Sequence, residues 1–250
     1  MSQTTSARTP EPVRRVSIVV PFYNERRTLA EIVERVLAVT LPLIPGAGER
    51  IAREVILVDD GSTDGSGDIA RALAERHAEV VAIVNPVNRG KGFALRTGFA
   101  RATGEVIIVQ DADMEYDPAD YPALLEPILN GRTEIVYGSR ILGKGRRGKL
   151  IYYLGGRSIS ALTSILYGAK ITDEPTGYKV FRRSVLERIE LKCVGFEFCP
   201  EFTAKALRAG YRIEEVPIRY SPRTAAEGKK ITWRVGAQTA WRLFKHRLSR

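Results

Sequence analysis

The sequence predicts an α/β protein with a mostly parallel sheet flanked by helices. Three observations lead there. Short β-branched runs alternate with helical patterns, and the brief connections between them require parallel strands with right-handed crossovers. The runs are apolar throughout, as strands are when both sheet faces are covered. The unusual polar clusters of the first half each follow directly on such a run, at the carboxyl edge where open α/β sheets bind ligands.

In order, residues 16–21 form a first strand, stopped by Pro21. Residues 28–39 place Leu29, Ile32, Val33, Val36 and Leu37 on one helical face, with Thr28 and Glu31 spaced as a capping box. The Pro- and Gly-bearing residues 41–50 are a loop. A second strand, 54–58, ends in Asp59-Asp60-Gly61-Ser62-Thr63-Asp64-Gly65, and a helix follows over 66–77. A third strand (80–84), a glycine-bearing turn (85–92) and a helix (93–102) lead to the strand 105–110. Beyond it the pattern predicts a helix at 121–129, a strand at 134–138 ending in Ser139-Arg140, and an amphipathic helix over 150–168. A turn and strand at 173–181, helices at 184–189 and 200–209, and a strand at 212–220 complete the body. Residues 1–15 are expected to be a disordered lead-in, 16–230 one domain, and 231–250 a basic amphipathic helix carrying Trp233, Trp241, Leu243 and Phe244. No internal repeat or long linker divides the chain.

Composition narrows the function. The 250 residues, 44% of them hydrophobic, support one large domain with a real core. Two cysteines, Cys193 and Cys199, argue against a disulfide scaffold and fit a reducing compartment. Two histidines argue against a His-based metal site or a His-centred triad. No apolar run approaches the ~20 residues of a membrane span, and the Ser/Thr/Pro-rich start lacks the apolar core of a signal peptide. The net charge of +10 is uneven. Residues 139–172 contain no acid but carry Arg140, Lys144, Arg146, Arg147, Lys149, Arg157 and Lys170, and after Ile218 the only acid is Glu227. Such surfaces seek nucleic acid, anionic lipid or a phosphorylated substrate. A nucleic-acid-binding protein leaves the acidic strand ends unexplained and would need a binding module that is absent.

Those strand ends carry the chemistry. If extended backbone persists past Gln110, Asp111, Asp113 and Glu115 point to one face. Three acids together repel unless a cation lies among them, and hard oxygen ligands suit Mg²⁺ or Mn²⁺ completed by substrate phosphates. A solvated acidic turn is the plain alternative. Likewise Asp59-Asp60 could be a turn with an N-cap, Tyr23 and Glu25 a helix-entry loop, and Arg146-Arg147 a solvated face. Arg140 is the better site candidate because it ends a strand at the active edge.

Taken together, residues 19–25 (Val-Val-Pro-Phe-Tyr-Asn-Glu), 58–64 (Val-Asp-Asp-Gly-Ser-Thr-Asp), 88–92 (Asn-Arg-Gly-Lys-Gly), 110–115 (Gln-Asp-Ala-Asp-Met-Glu), 138–140 (Gly-Ser-Arg), 173–179 (Asp-Glu-Pro-Thr-Gly-Tyr-Lys) and 222–230 (Pro-Arg-Thr-Ala-Ala-Glu-Gly-Lys-Lys) resemble a family-2 glycosyltransferase of the GT-A (Rossmann-like) fold. The nearest likeness is to polyprenyl-phosphate glycosyltransferases, including dolichol-phosphate mannose synthases. Each motif is weak singly; their order and spacing are specific.

The resemblance implies that Pro21, Tyr23, Glu25, Val58, Asp60, Lys91 and Asp111 bind the sugar nucleotide, with Asp60 accepting a base N–H and Asp111 near the ribose or diphosphate. Asp113 and Glu115 would hold the divalent cation; many relatives have Gln where this chain has Glu115. Arg140, Arg157 and Arg223, with Lys229 and Lys230, would face the acceptor phosphate, and Asp113, Arg140 and Arg157 would carry the transfer. The implied activity is inverting transfer of a hexose, from GDP-mannose or UDP-glucose, to a polyprenyl or dolichyl phosphate at the cytoplasmic membrane face, without nucleic acid. The chemistry agrees independently. A lipid phosphate is already an anionic nucleophile, so arginines that aim it serve better than a general base. The same fold acting on a soluble or saccharide acceptor would need a base that the sequence does not reveal. Because the chain ends without a span, the expectation is peripheral binding, by the C-terminal segment with Trp233 and Trp241 among cations, or a separate membrane-anchoring subunit.

Overall fold

The computed structural model describes residues 12–143, 150–223 and 233–248. Seven strands form one sheet, β1 (Arg15–Phe22), β2 (Ala52–Asp59), β3 (Val80–Val84), β4 (Val106–Val109), β5 (Ile135–Ser139), β6 (Lys179–Arg182) and β7 (Ile213–Pro217), in the spatial order β3-β2-β1-β4-β6-β5-β7. The pairs β1–β2, β1–β4, β2–β3 and β5–β7 are parallel. β6 lies antiparallel between β4 and β5, so the parallel rule holds except at this wedge.

Period-two alternation divides the core. Ile18 and Val20 of β1 face one side with Leu57 and Ile108, under α1 (Leu29–Ala38), α2 (Ser66–Arg76) and α4 (Tyr121–Leu129). Val19, Ile56, Val58, Ile107 and Val109 face the other, under α3 (Lys91–Arg101), α6 (Val185–Arg188) and α7 (Phe198–Arg208). There Phe181 meets Phe99 edge-on at 5.5 Å and Phe202 at 4.7 Å between ring centroids. Two further helices, α5 (Leu150–Tyr167) and α8 (Trp233–Leu248), pack together: Tyr167 Oη donates to the Leu243 carbonyl at 2.7 Å and Arg247 Nε to that of Leu166 at 2.9 Å. No helix among the described residues is long and apolar enough to cross a membrane.

Several boundaries differ from expectation for local reasons. Pro21 does not end β1; it pairs with Val58 one residue before the strand ends. The lead-in ends before residue 15: Val13 is buried, and Glu105 Oε2 accepts the Arg14 and Arg15 N–H groups. The Thr28–Glu31 capping box does not form, because Thr28 Oγ1 donates to Glu25 Oε2 at 3.0 Å instead.

At the amino edge, buried Glu54 braces the sheet. Its Oε1 accepts from Ser17 Oγ (2.5 Å), Thr103 N (2.6 Å), Thr103 Oγ1 (2.8 Å) and Gly104 N (3.1 Å). Burial opposes the charge, but these donors outweigh it and hold the carboxyl below its usual range. A depressed folded-state pKa contributes stability above the unfolded value and loses it as pH falls through the folded one. Glu54→Gln is therefore expected to lower urea-unfolding stability by about 1–3 kcal/mol at neutral pH. The gap from wild type should narrow on acidification below the carboxylate range; a gap independent of pH would refute the brace.

Candidate active site at the carboxyl edge

The loops after β1 and β2 are stitched to each other. Glu25 N donates to Ser66 Oγ (2.9 Å), Asn24 N to Ser62 Oγ (2.9 Å), and Thr63 N to Asn24 Oδ1 (2.8 Å). Asn24 sits at φ 55°, the left-handed region that asparagine tolerates better than most residues. The two adjacent aspartates divide the work. Asp59 Oδ1 accepts Ser62 N (2.8 Å) within its own turn. Buried Asp60 accepts Arg89 N on Oδ1 (3.0 Å) and Gly90 N on Oδ2 (2.6 Å), fastening the turn before α3. Gly90 enters that helix at φ 102°, a conformation suited to glycine. Asp60, expected to meet a base, thus also fastens this turn, and its Oδ2 keeps a second lone pair. Val58 is wholly buried among Val19, Leu95 and Phe99, so its side chain faces the core, and Pro21 is buried beside it in the sheet.

The acidic stretch does not continue as a strand. β4 stops at Val109 and the chain turns through Met114 at φ 62°, which costs about 1–3 kcal/mol for a non-glycine residue. The three carboxylates are therefore gathered by a turn and not by strand alternation. Lys91, the first residue of α3, places Nζ 2.5 Å from Asp111 Oδ1. Burial would lower the Lys91 pKa, but Asp111 prevails and raises it. Asp113 Oδ1 accepts Glu115 N at 3.1 Å. Burial, then the charges of Asp111 and Glu115, push its carboxyl up to about 7. Glu115 accepts Arg223 N on Oε1 (2.8 Å) and Tyr220 Oη on Oε2 (3.0 Å).

Arg223 binds this turn to the far end of the chain. Its Nε donates to the Asp113 carbonyl at 2.6 Å, and its Nη1 and Nη2 fork onto Glu25 at 3.3 and 3.0 Å. Arg140 is equally engaged: its Nε and Nη2 grip Asp173 at 2.8 and 2.7 Å, its N–H adds 2.8 Å, and Tyr220 lies 5.2 Å beneath the guanidinium. Arg157 is elsewhere, on the exposed side of α5, lining a hollow with Ser160, Lys170, Thr172 and Glu215. Glu215 in turn accepts the Thr172 and Asp173 N–H groups, so Arg140 and Arg157 flank the same segment. Tyr23 is half-buried beside Asn24. Lys144, Arg146, Arg147, Lys149, Lys229 and Lys230 lie outside the described residues.

Other residues shape the site without having been singled out. Gln110 Oε1 accepts both Tyr121 Oη and Tyr178 Oη at 2.7 Å, and its Nε2 donates to the Asp111 carbonyl at 2.9 Å. Gly177 lies against Asp111. Asp173 and Gly177 were legible only as parts of a motif, and Tyr220 carried no local signal.

Among the described residues no three His, Cys, Asp or Glu side chains form a ready-made metal cage. A cation held by two carboxylates and completed by phosphate oxygens needs none. Asp113, crowded by like charge, is a fitting donor. Glu115 fits too, because each carboxylate oxygen keeps a second lone pair beside the bond it already accepts.

With sheet and site defined, the comparisons give the family. Glycosyl transferase family 2 matches residues 17–190, and the chain belongs to that family. It is 30% identical over 222 residues to the dolichol-phosphate mannosyltransferase of Pyrococcus furiosus, covering 86% of this chain and 59% of that protein. It is also 30% identical over 232 residues to the polyprenol monophosphomannose synthase of Mycolicibacterium smegmatis, covering 88% and 83%. The fold matches that of glucosyl-3-phosphoglycerate synthase from Mycobacterium tuberculosis, solved with Mn²⁺, UDP and glucosyl-3-phosphoglycerate. That TM-score is 0.70 at 23% identity, covering 93% of this chain and 80% of that one. The sheet with its flanking helices is thus a GT-A-like fold.

A Cβ added at Gly177 would lie 2.5 Å from Asp111 Oδ2 and 2.9 Å from the Tyr116 ring. Lys91 pins Asp111 and burial fixes Tyr116, so neither yields easily. Gly177→Ala is expected to lower thermal stability by roughly 1–3 kcal/mol, read as a fall in Tm. An unchanged midpoint would show that the contact is soft.

Proposed function

We propose that the protein is an inverting, divalent-cation-dependent glycosyltransferase. It moves a hexose from a sugar nucleotide to a polyprenyl or dolichyl phosphate. Mannose is favoured over glucose, in keeping with the two named relatives. The observation that carries the reading is the turn of Asp111, Asp113 and Glu115 at the carboxyl edge, with Lys91 on one side and Arg223 on the other. That juxtaposition suits a reaction in which a diphosphate leaves and a phosphate attacks.

The chain's own residues have separable tasks. Asp111, already paired with Lys91, orients the donor near its ribose and diphosphate. The Asp60-braced turn with Tyr23 and Glu25 walls the nucleotide. Arg140, fixed in direction by Asp173, presents its remaining guanidinium edge to the acceptor phosphate, with Arg157 across the 172–173 segment. The acceptor oxygen attacks the anomeric carbon from the side opposite the diphosphate. The new C–O bond forms as the old one breaks, the electron pair leaves with the nucleoside diphosphate, and the configuration inverts. An anionic nucleophile gives up no proton, so no base is needed. A divalent cation, Mg²⁺ or Mn²⁺, bound by Asp113 and Glu115, would supply charge neutralisation for the departing diphosphate.

The acceptor's hydrocarbon resides in a bilayer, and the outward stripe of α8 is suited to meet one. Leu243 and Thr239 are buried on its inner side, whereas Trp241 (68% exposed), Phe244 and Leu248 (81%) recur at i, i+3 and i+7 on the outer side, beside Lys245 and Arg247. Ile165 of α5, the neighbour in sequence of Leu166 whose carbonyl Arg247 meets, is also exposed. With no acid on α8, the surface complements anionic lipid at the cytoplasmic face, by itself or beside a membrane-anchoring subunit.

Calorimetric titration of GDP-mannose and UDP-glucose, each with and without Mn²⁺, tests the donor half. One nucleotide should bind only with metal, and Asp113→Ala should remove that dependence while keeping the wild-type circular dichroism. Metal-independent binding in both proteins would overturn the assignment. In vesicle sedimentation, the wild type should pellet with phosphatidylglycerol-containing vesicles, and Trp241→Glu with Phe244→Glu should weaken this several-fold. Equal pelleting of wild type and variant would remove α8 from the membrane contact.

A further inference from the structure

Lys179 opens β6, the antiparallel wedge, and its side chain is fully buried. Burying an ammonium costs several kcal/mol unless it is well partnered. Among the described residues no carboxylate lies within ion-pair distance of it. Its Nζ donates to the Glu174 carbonyl (2.8 Å) and the Thr176 carbonyl (3.1 Å) and stands 3.9 Å from the centroid of the Tyr137 ring. The Glu174 carboxyl is close by. Its Oε1 is taken by Thr203 at 3.1 Å, and its Oε2 is buried with no hydrogen-bond partner. The ammonium acts on that carboxyl through space, but its hydrogen bonds go to two backbone carbonyls.

Those carbonyls belong to the 173–177 loop, and the loop has two ends in the site. Asp173 grips Arg140 through three bonds. Gly177 fits against Asp111, and its N–H donates to Tyr116 Oη at 2.8 Å. Between them Thr176 Oγ1 donates to the Gly138 carbonyl at 2.6 Å, tying the loop to the end of β5. The ammonium grips the loop from beneath at alternate carbonyls, on either side of Pro175.

We infer that Lys179 is a positioning residue that fixes the acceptor-side cation Arg140 and the donor-side carboxylate Asp111 relative to each other, through the carbonyls of the 173–177 loop. It touches neither substrate. One buried charge thus sets the spacing between the two halves of the site. Its kinetic consequence rests on the transfer reaction proposed above; its structural consequence does not.

The test compares wild type with Lys179→Met by amide hydrogen exchange and by kinetics. Exchange should quicken by about tenfold or more at Arg140 and at Thr172, Asp173, Glu174, Thr176 and Gly177, whose N–H groups the loop geometry satisfies, and should stay unchanged in β2. In turnover assays below the melting transition, kcat should fall, and Asp173→Asn combined with Lys179→Met should cost less than the sum of the two single changes. Exchange that is unchanged in the loop, or raised equally in β2, would overturn the inference by showing either no grip or a merely structural one. So would additive kinetic effects. If the wild type transfers no sugar, the donor–acceptor reading fails while the exchange comparison still decides the role of Lys179. Should the Met variant not fold, Lys179→Arg keeps the charge and displaces the donors; it should quicken exchange in the same segment alone, with the same overturning results.

Discussion

Three carboxylates on one short turn repel each other, and the elements around the carboxyl edge are arranged to contain that repulsion. α3 begins with Lys91 against Asp111. Residues 220–223 return from beyond β7 to give Glu115 a hydroxyl and a backbone N–H and to place a guanidinium on the Asp113 carbonyl. Asp113 lies buried in this turn, and its burial, then the charges of Asp111 and Glu115, push its carboxyl up to about 7. A site balanced in this way is stable without being satisfied, a useful condition for a pocket proposed to receive an ion and a diphosphate.

The wedge strand bears on how the sheet could serve the two proposed substrates. Four neighbouring parallel strands, β3-β2-β1-β4, end together and display the loops proposed for the donor at one edge. β6 runs the other way between β4 and β5. The loop that enters β6 therefore arrives at the same carboxyl edge, where it brings Asp173 against Arg140 and Gly177 against Asp111, with the buried Lys179 side chain beneath it. A parallel strand in that position would have delivered its entering loop to the amino edge, beside Glu54.

What the sequence reveals follows from how local each signal is. β3 and α4 lie over the residues expected for them, because a short, largely β-branched run and an apolar helical segment need no distant partner. The clusters at strand ends were legible because chain direction in a parallel sheet sends them to one edge. The hand-over between clusters was not. The likeness that sends Asp60 to a base gives no sign that its carboxylate also fastens the 89–90 turn. Nor does it show that the Val58 side chain is packed in the core. The strand-like spacing of Asp111, Asp113 and Glu115 conceals a left-handed Met114. Lys179 looked like one more motif residue, because nothing in the sequence says that a buried lysine spends its hydrogen bonds on backbone carbonyls. The curated relative from Pyrococcus extends beyond the region it shares with this chain, which spans 59% of it.

The bond between Arg223 and Glu25 joins residues 198 apart in sequence. Closing so long a loop is entropically expensive, and contacts of this separation form late in folding. During synthesis the first two strands and their loops emerge long before residue 223 does. Until then the carboxylate turn lacks its guanidinium, and a nascent chain would carry a cleft with the sheet in place and its charge uncompensated. The cleft therefore gains its guanidinium only once residues 220–223 have emerged and returned across the opening, so its assembly waits on a contact that spans 198 residues.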